Sequence, residues 1–288
     1  MNKTLGILGY GYTAQVLASK LVKQGYTIHA TSRTLVPKEK HSDSIQLYDF
    51  NQGAIEKIVS ACSSILICIP PTTSGADPVL DHFNSIFIKQ AKTLDWVGYL
   101  SSTAVYGDHQ GQWVTENTEP HAPGRSGVNR LTIEAQWMDI FNSHKVPSHI
   151  FRIAGIYGPK RNSLERILTG KPFSVYKPEQ VFSRIHIEDI CQALALSLAH
   201  PTPGEIYNLC DDLPAPSHEV DEFAATLLNK PKPKLVHYES AELSPMGMEF
   251  YRCNKRVSNQ KIKSALEFKP LFPTYKEGLV GLVGELYV

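Results

Sequence analysis

A glycine-bearing turn near the start of the chain restricts the possible folds more than any other feature. The apolar residues 5–8 lead directly into Gly9-x-Gly11-x-x-Ala14, and apolar residues at helical spacing follow. A strand, a tight turn and a helix in this order begin a βαβ unit. In that setting Gly9 permits the turn, Gly11 lets the backbone approach a ligand, and Ala14 keeps the helix close to the strand. The sequence therefore predicts an α/β fold whose first strand ends at a binding site.

Short apolar strands alternate with helical segments through the first half of the chain. After the first strand, the pattern predicts strands over residues 26–31, 44–50, 64–69 and 96–100. Residues 64–69 are nearly all apolar, as expected of a strand that is buried on both faces of a parallel sheet. The alternation predicts an open, doubly wound parallel sheet with right-handed crossovers.

Composition excludes several classes of protein. The 288 residues include 29 basic and 28 acidic residues, so no global basic field attracts nucleic acid or a membrane surface. No apolar run approaches the roughly 20 residues of a membrane-spanning helix. The five cysteines and eleven histidines are scattered, without metal-ligand spacing. We expect a soluble cytoplasmic protein with free thiols, and with no metal, nucleic-acid or membrane partner.

The glycine turn also predicts what the site binds. The N–H groups and positive dipole end of the helix after Gly11 suit a pyrophosphate. We therefore assign Gly9, Gly11, Tyr12, Thr13 and Ala14 to a dinucleotide cofactor. The alternative is an ordinary strand-to-helix turn that contains two glycines, because the motif alone is loose.

The end of the second strand favours NADP over NAD. NAD-preferring sites place an acidic residue about 20 residues beyond the glycines, on the ribose 2′-hydroxyl. Here the chain reads Thr31-Ser32-Arg33, without an acid. Arg33 can pair with a 2′-phosphate, and Ser32 can donate to it. The alternative is that Arg33 is a solvated loop cation. Asp49, after the third strand, could accept from the adenine amino group or cap the next turn.

A later segment resembles a known family. Residues 101–108 read Ser-Ser-Thr-Ala-Val-Tyr-Gly-Asp, which resembles a segment of the extended short-chain dehydrogenases/reductases, the nucleotide-sugar epimerase and dehydratase relatives. Residues 151–159, 182–190 and 206–209 resemble later segments of that family in the same order. The resemblance covers nearly the whole chain.

The resemblance implies a Rossmann fold with an NAD(P)-binding domain over residues 1–158 and a smaller, mostly helical substrate-binding part over residues 159–288. A strand near residues 206–209 is expected to return to the sheet. The implied function is an NAD(P)-dependent oxidoreductase or epimerase acting on a nucleotide sugar or a related hydroxyl or carbonyl substrate. Further cofactor contacts are expected from the ends of later strands, at Ile69, Pro70, Ser101 and Ala154.

The catalytic residues match the family only in part. Ser102 matches the serine that holds a substrate oxygen, and Thr103 could share this role. The family's Tyr-x-x-x-Lys is replaced by Ser126 and Arg130, as in the atypical short-chain dehydrogenases/reductases. A serine is a poorer proton carrier than a tyrosine, and an arginine is not deprotonated in proteins. Arg130 could still hold ribose hydroxyls or a substrate oxyanion.

Several features leave two interpretations open. Tyr106, with His109, His121 and His186, could replace the missing tyrosine, or Tyr106 could be a packing residue of its loop. The two functional hypotheses are an NADP-preferring enzyme and a catalytically inactive NADP-binding sensor or regulatory protein. Helices around residues 83–87 and 131–137 could form a homodimer face or pack inside the domain. Cations that could hold a diphosphate, or form a solvated helix face, are Arg152, Lys160, Arg161, Arg166 and Lys171.

Overall fold

The computed structural model describes residues 3–33, 42–122, 124–170 and 173–286. Lys171, one of the predicted cations, lies outside them. The strands are β1 (Lys3–Leu8), β2 (Tyr26–Thr31), β3 (Ile45–Tyr48), β4 (Ser64–Ile67), β5 (Trp96–Ser102), β6 (Trp113–Val114), β7 (Ser148–Ile153), β8 (Gly155–Tyr157), β9 (Phe173–Tyr176), β10 (Arg184–His186), β11 (Ile206–Leu209), β12 (Lys234–His237) and β13 (Arg256–Val257). The helices are α1 (Tyr12–Lys23), α2 (Gln52–Ala61), α3 (Pro78–Lys89), α4 (Arg125–His144), α5 (Ser163–Leu168), α6 (Ile187–Ala199), α7 (Ser217–Leu227), α8 (Pro245–Arg252), α9 (Gln260–Ala265) and α10 (Tyr275–Leu286).

Seven strands form the central sheet, in the order β11-β7-β5-β4-β1-β2-β3. The pairs β1–β2, β2–β3, β1–β4 and β4–β5 are parallel. The strand order reverses between β1 and β4, and open α/β sheets bind their ligands beside such a reversal, at the carboxyl ends of the strands. The predicted Rossmann sheet is confirmed, and the strand predicted near residues 206–209 is β11 at the edge of the sheet.

The chain forms two compact units, each assembled from three segments. Unit 1 comprises Met1–Ser102, Val128–Arg152 and Cys191–Tyr207, and unit 2 comprises Thr103–Gly127, Ile153–Ile190 and Asn208–Val288. The sequence-based division after residue 158 describes consecutive segments, whereas these units are interleaved along the chain.

One hydrophobic cluster of unit 1 lies between the sheet and the apolar stripes of three helices, α2, α3 and α4. Phe83 and Phe87 on α3 and Trp137 on α4 are buried there. The rings of Phe87 and Trp137 meet edge to face, with centroids 5.3 Å apart. These stripes, for which a dimer face was the alternative, therefore pack inside unit 1.

Unit 2 combines helices with three short two-stranded parallel sheets, β8–β10, β9–β12 and β6–β13. Its core joins α5, α7 and α10 through residues such as Leu164, Ala224 and Leu279. The sequence predicted the helices but not these sheets, because strands of two to four residues carry too little periodicity. None of the helices in the described ranges combines the length and the hydropathy that a membrane-spanning segment needs.

Candidate functional site

The turn after β1 requires glycine at its first position. Gly9 has a φ of +101°, and a Cβ there would lie 2.8 Å from the Ile69 side chain and 3.2 Å from the Ile69 backbone nitrogen. The Gly9 N–H donates to the Thr31 hydroxyl at 3.1 Å, and the Tyr10 N–H donates to the Thr31 carbonyl at 2.8 Å. The turn is therefore held against the ends of both neighbouring strands, β2 and β4.

The second glycine of the turn, Gly11, borders an opening at the start of α1. Gly11 is exposed, and a Cβ on it would meet no atom within 4 Å. It is the N-cap of α1, where no side chain caps the helix and no acidic residue occupies the first turn. Thr13 and Ala14, in the first turn of this helix, are buried. A helix start with these properties suits an anion.

The predicted adenosine-side residues follow β2 and β3 at the same edge of the sheet. The half-buried Ser32 donates its backbone N–H to the Tyr48 carbonyl at 2.9 Å, and Arg33 is exposed. Asp49 is also exposed, while the next helix is capped by Asn51, whose side chain accepts from the Ala54 N–H at 3.0 Å. Helix capping therefore does not occupy the Asp49 carboxylate.

The segment after β4 lies directly beside the glycine turn. The Cys68 N–H donates to the Leu8 carbonyl at 2.8 Å, which extends the pairing of β4 with β1. Ile69 is half-buried against Gly9, and Pro70 is exposed. Burial raises the pKa of the Cys68 thiol, so this thiol stays protonated near neutrality.

At the end of β5, two adjacent serines have different surroundings. The buried Ser101 hydroxyl donates to Glu134 Oε1 at 2.5 Å, and Ser102 is half-buried. Successive side chains of a strand point to opposite faces, so Ser102 points away from Glu134. The one hydroxyl hydrogen of Ser101 is donated to Glu134, so in a cofactor contact this hydroxyl could only accept.

A buried ion pair lies beneath this strand end. Arg152 Nη2 lies 2.7 Å from Glu134 Oε2, and both side chains are less than 5% exposed. Arg152 is therefore paired with Glu134 inside unit 1, and its burial argues against the predicted role of this residue in holding a diphosphate. Sequence reasoning missed this contact, although a glutamate between Ile133 and Trp137 on the apolar face of α4 was a signal for it.

Arg130 is fixed one turn before Glu134 on α4. Its Nη1 donates to the Leu100 carbonyl at 3.1 Å, two residues before Ser102. The neighbouring Tyr99 side chain is buried, and its hydroxyl lies beside the Arg130 guanidinium. Burial raises the pKa of Tyr99, and the nearby Arg130 opposes this only in part, so the hydroxyl is a poor proton carrier.

The remaining candidates belong to unit 2. Thr103 is half-buried at the start of a 3-10 turn, and Ser126 is exposed in the first turn of α4. The buried Tyr106 hydroxyl donates to Asn208 Oδ1 at 2.7 Å, which supports the packing interpretation of Tyr106. Ala154 is buried, and its N–H donates to the Leu209 carbonyl at 3.0 Å.

The three histidines have different surroundings within unit 2. His109 Nε2 lies 2.9 Å from the Tyr106 carbonyl oxygen, and His121 is exposed near Glu119. His186 is buried, and its ring meets Tyr157 edge to face. None of these contacts identifies a proton carrier, so the replacement of the missing tyrosine stays a prediction.

The cations of residues 159–170 remain at the surface of unit 2. Lys160 and Arg161 are exposed. Arg166 is half-exposed, and its Nη2 contacts Ser163 Oγ at 2.6 Å and Asp221 Oδ1 at 3.1 Å. No group of histidine, cysteine or acidic side chains in the described ranges could hold a metal ion.

Comparison with known proteins places this geometry in a family. The sequence matches the NAD dependent epimerase/dehydratase family over residues 7–210. Protein YeeZ of Escherichia coli K12 is 26% identical over 234 residues, which cover 75% of this chain and 79% of that protein.

Solved structures agree with the sequence match. A conserved protein of unknown function from Silicibacter pomeroyi is 41% identical, with a TM-score of 0.90 over 98% of this chain and 99% of that one. The UDP-glucuronic acid 4-epimerase of Bacillus cereus, solved with UDP-glucuronic acid and NAD, has a TM-score of 0.77 at 16% identity, over 98% of this chain and all of that one. At that identity the second likeness shows the fold alone. The chain belongs to the NAD dependent epimerase/dehydratase family.

Proposed function

We propose that this protein is an NAD(P)-dependent oxidoreductase or epimerase that prefers NADP and acts on a nucleotide sugar or a related hydroxyl or carbonyl substrate. The observation that carries the proposal is the turn after β1. Gly9 closes the turn, and Gly11 leaves open space at a helix start without a side-chain cap. The pyrophosphate of the cofactor fits this opening, because the backbone N–H groups and the helix dipole favour an anion there.

The preference for NADP follows from the end of β2. Arg33 is exposed at the sheet edge that holds the glycine turn, and no acidic residue stands at the NAD-specific position. A guanidinium group pairs well with a phosphate, whereas an acidic residue would repel it. We assign the adenosine side of the cofactor to Ser32, Arg33 and Asp49.

The chemistry is proposed to take place at the end of β5. When bound, the nicotinamide supplies hydride transfer. The Ser102 hydroxyl binds the substrate oxygen, and the Arg130 guanidinium stabilises negative charge or holds ribose hydroxyls. Arg130 keeps its proton, so it does not serve as a base. We assign substrate binding to the part over residues 159–288, supported by the exposed Lys160 and Arg161.

A second candidate is a catalytically inactive NADP-binding sensor. It is favoured by Ser126 and Arg130 in the family's tyrosine and lysine positions, and by the Tyr106 hydroxyl, which already donates to Asn208. The sensor would bind the cofactor without turnover, and its partner contacts would depend on the redox state of the cofactor.

Fluorescence titration with NADPH and NADH tests both candidates, and a turnover screen separates them. UDP-linked sugars are the first substrates to screen, because the B. cereus relative binds one. We expect NADPH to bind more tightly than NADH. With an active substrate, Ser102→Ala should lower turnover about a hundredfold while NADPH affinity stays unchanged. Absence of binding by either nucleotide would falsify the proposal, and binding without any turnover would favour the sensor.

A further inference from the structure

Three polar side chains from three elements meet beneath the end of β5. Ser101, Glu134 and Arg152 are each less than 5% exposed. Arg152 Nε lies 3.2 and 3.1 Å from the two carboxylate oxygens of Glu134, and Arg152 Nη2 lies 2.7 Å from Oε2. The Ser101 hydroxyl donates to Oε1 at 2.5 Å. We call these three residues the buried triad.

Apolar packing alone would hold α4 on the sheet. Ile133 and Trp137 flank Glu134 along the helix, and both are at most 1% exposed. A buried ion pair is often no more stabilising than apolar residues of the same size, because desolvation offsets the attraction. Its directional bonds can, however, select one register of α4 against β5 and β7.

That register determines the positions of Ser102 and Arg130, the two residues assigned to the reaction. Ser101 immediately precedes Ser102, and Arg130 lies one helical turn, about 6 Å, before Glu134. Arg130 also donates to the Leu100 carbonyl at 3.1 Å, so α4 is attached to the end of β5 at two points. We propose that the buried triad is a positioning device, through which Glu134 places Arg130 for contact with the nicotinamide half of the cofactor and Ser102 for contact with the substrate oxygen. The inference rests on the proposed function.

The test compares two nucleotides on an apolar variant of the triad, Ser101→Ala/Glu134→Leu/Arg152→Met. NADPH reaches the nicotinamide side, whereas 2′,5′-ADP carries only the adenosine side. We expect the variant to bind NADPH about tenfold more weakly, the factor expected for a misplaced charged donor, and to bind 2′,5′-ADP like the wild type. Adding Arg130→Ala to the apolar variant should cause no further loss of NADPH affinity, although Arg130→Ala alone should weaken NADPH binding about tenfold.

Three results would overturn the inference. If the apolar variant folds and binds NADPH like the wild type, the triad does not position Arg130. If its affinities for NADPH and for 2′,5′-ADP fall equally, the triad has a merely structural role. Additive losses with Arg130→Ala show that the triad does not act through Arg130. If the apolar variant does not fold, Ser101→Ala alone, which removes one donor, must show the same selective loss at smaller size. A wild type that binds neither nucleotide removes the proposed function itself, which is a different outcome.

Discussion

The carboxyl ends of β1 and β5 lie at the same edge of one sheet but are shaped by different means. At β1 the end of the strand is shaped by the backbone: Gly9 has a positive φ and close neighbours, and the position of a Gly11 side chain is open space. At β5 the end of the strand is shaped by side chains: Ser101, Glu134 and Arg152 form a buried cluster, and Arg130 donates to the Leu100 carbonyl. The first end can be recognised from a short motif, whereas the second depends on contacts between residues far apart in the sequence.

The largest expected effect is at β5. Glu134→Gln leaves the Arg152 cation buried and without its counter-charge, so we expect the free energy of unfolding to fall by about 3 kcal/mol. Urea denaturation followed by tryptophan fluorescence measures this. The matched control is Glu56→Gln on the exposed face of α2, which should change stability by less than about 0.5 kcal/mol. Equal losses of stability in the two variants would show that the buried ion pair contributes no more to stability than an exposed glutamate does.

At β1, Gly9→Ala should destabilise the protein by about 2 kcal/mol, because the methyl group meets Ile69 and the positive φ is strained. Gly25→Ala separates the two causes, since Gly25 also has a positive φ but a Cβ there meets nothing within 4 Å. We expect about half the loss for Gly25→Ala in the same denaturation experiment. A loss as large as that of Gly9→Ala would assign the whole effect to backbone strain.

Arg33 tests the cofactor preference at the β1 side. Arg33→Ala should weaken NADPH binding about tenfold and leave the affinity for NADH within about twofold of the wild-type value, because only NADPH carries the 2′-phosphate. Lys89→Ala is the control, because it removes the same charge from the last turn of α3, which leads to the amino end of β5. If both variants lose NADPH affinity equally, net charge rather than a local contact sets the preference.

Asp49 should show the smallest effect. Its carboxylate is exposed, so the loss of a single bond to the adenine amino group in Asp49→Ala should weaken NADPH binding only about threefold. Asp43→Ala, another exposed acid of the same unit, should cause no loss. Fluorescence titration measures both variants, and tighter binding by Asp49→Ala would mean that its charge opposes the cofactor phosphates.

The sequence predicted the features that depend on local chemistry. Strand and helix alternation was sufficient for the parallel sheet, and the glycine motif was sufficient for the turn that Gly9 makes. The pairing of Arg152 with Glu134 was not predicted, because the two residues come from different elements and a cation next to a glycine-proline loop fits a solvent-exposed role equally well. The short sheets of unit 2 were missed because two to four residues establish no period.

Gly11 offers the most direct test of the central claim, that the opening after β1 holds the cofactor pyrophosphate. Gly11→Val needs no strained φ, since Gly11 has a φ of −92°, and its side chain enters space that is open in the protein alone. Calorimetric titration with NADPH should show saturable binding to the wild type and at least about a hundredfold weaker binding to the variant, at unchanged melting temperature. A folded Gly11→Val variant that binds NADPH as tightly as the wild type would contradict the account.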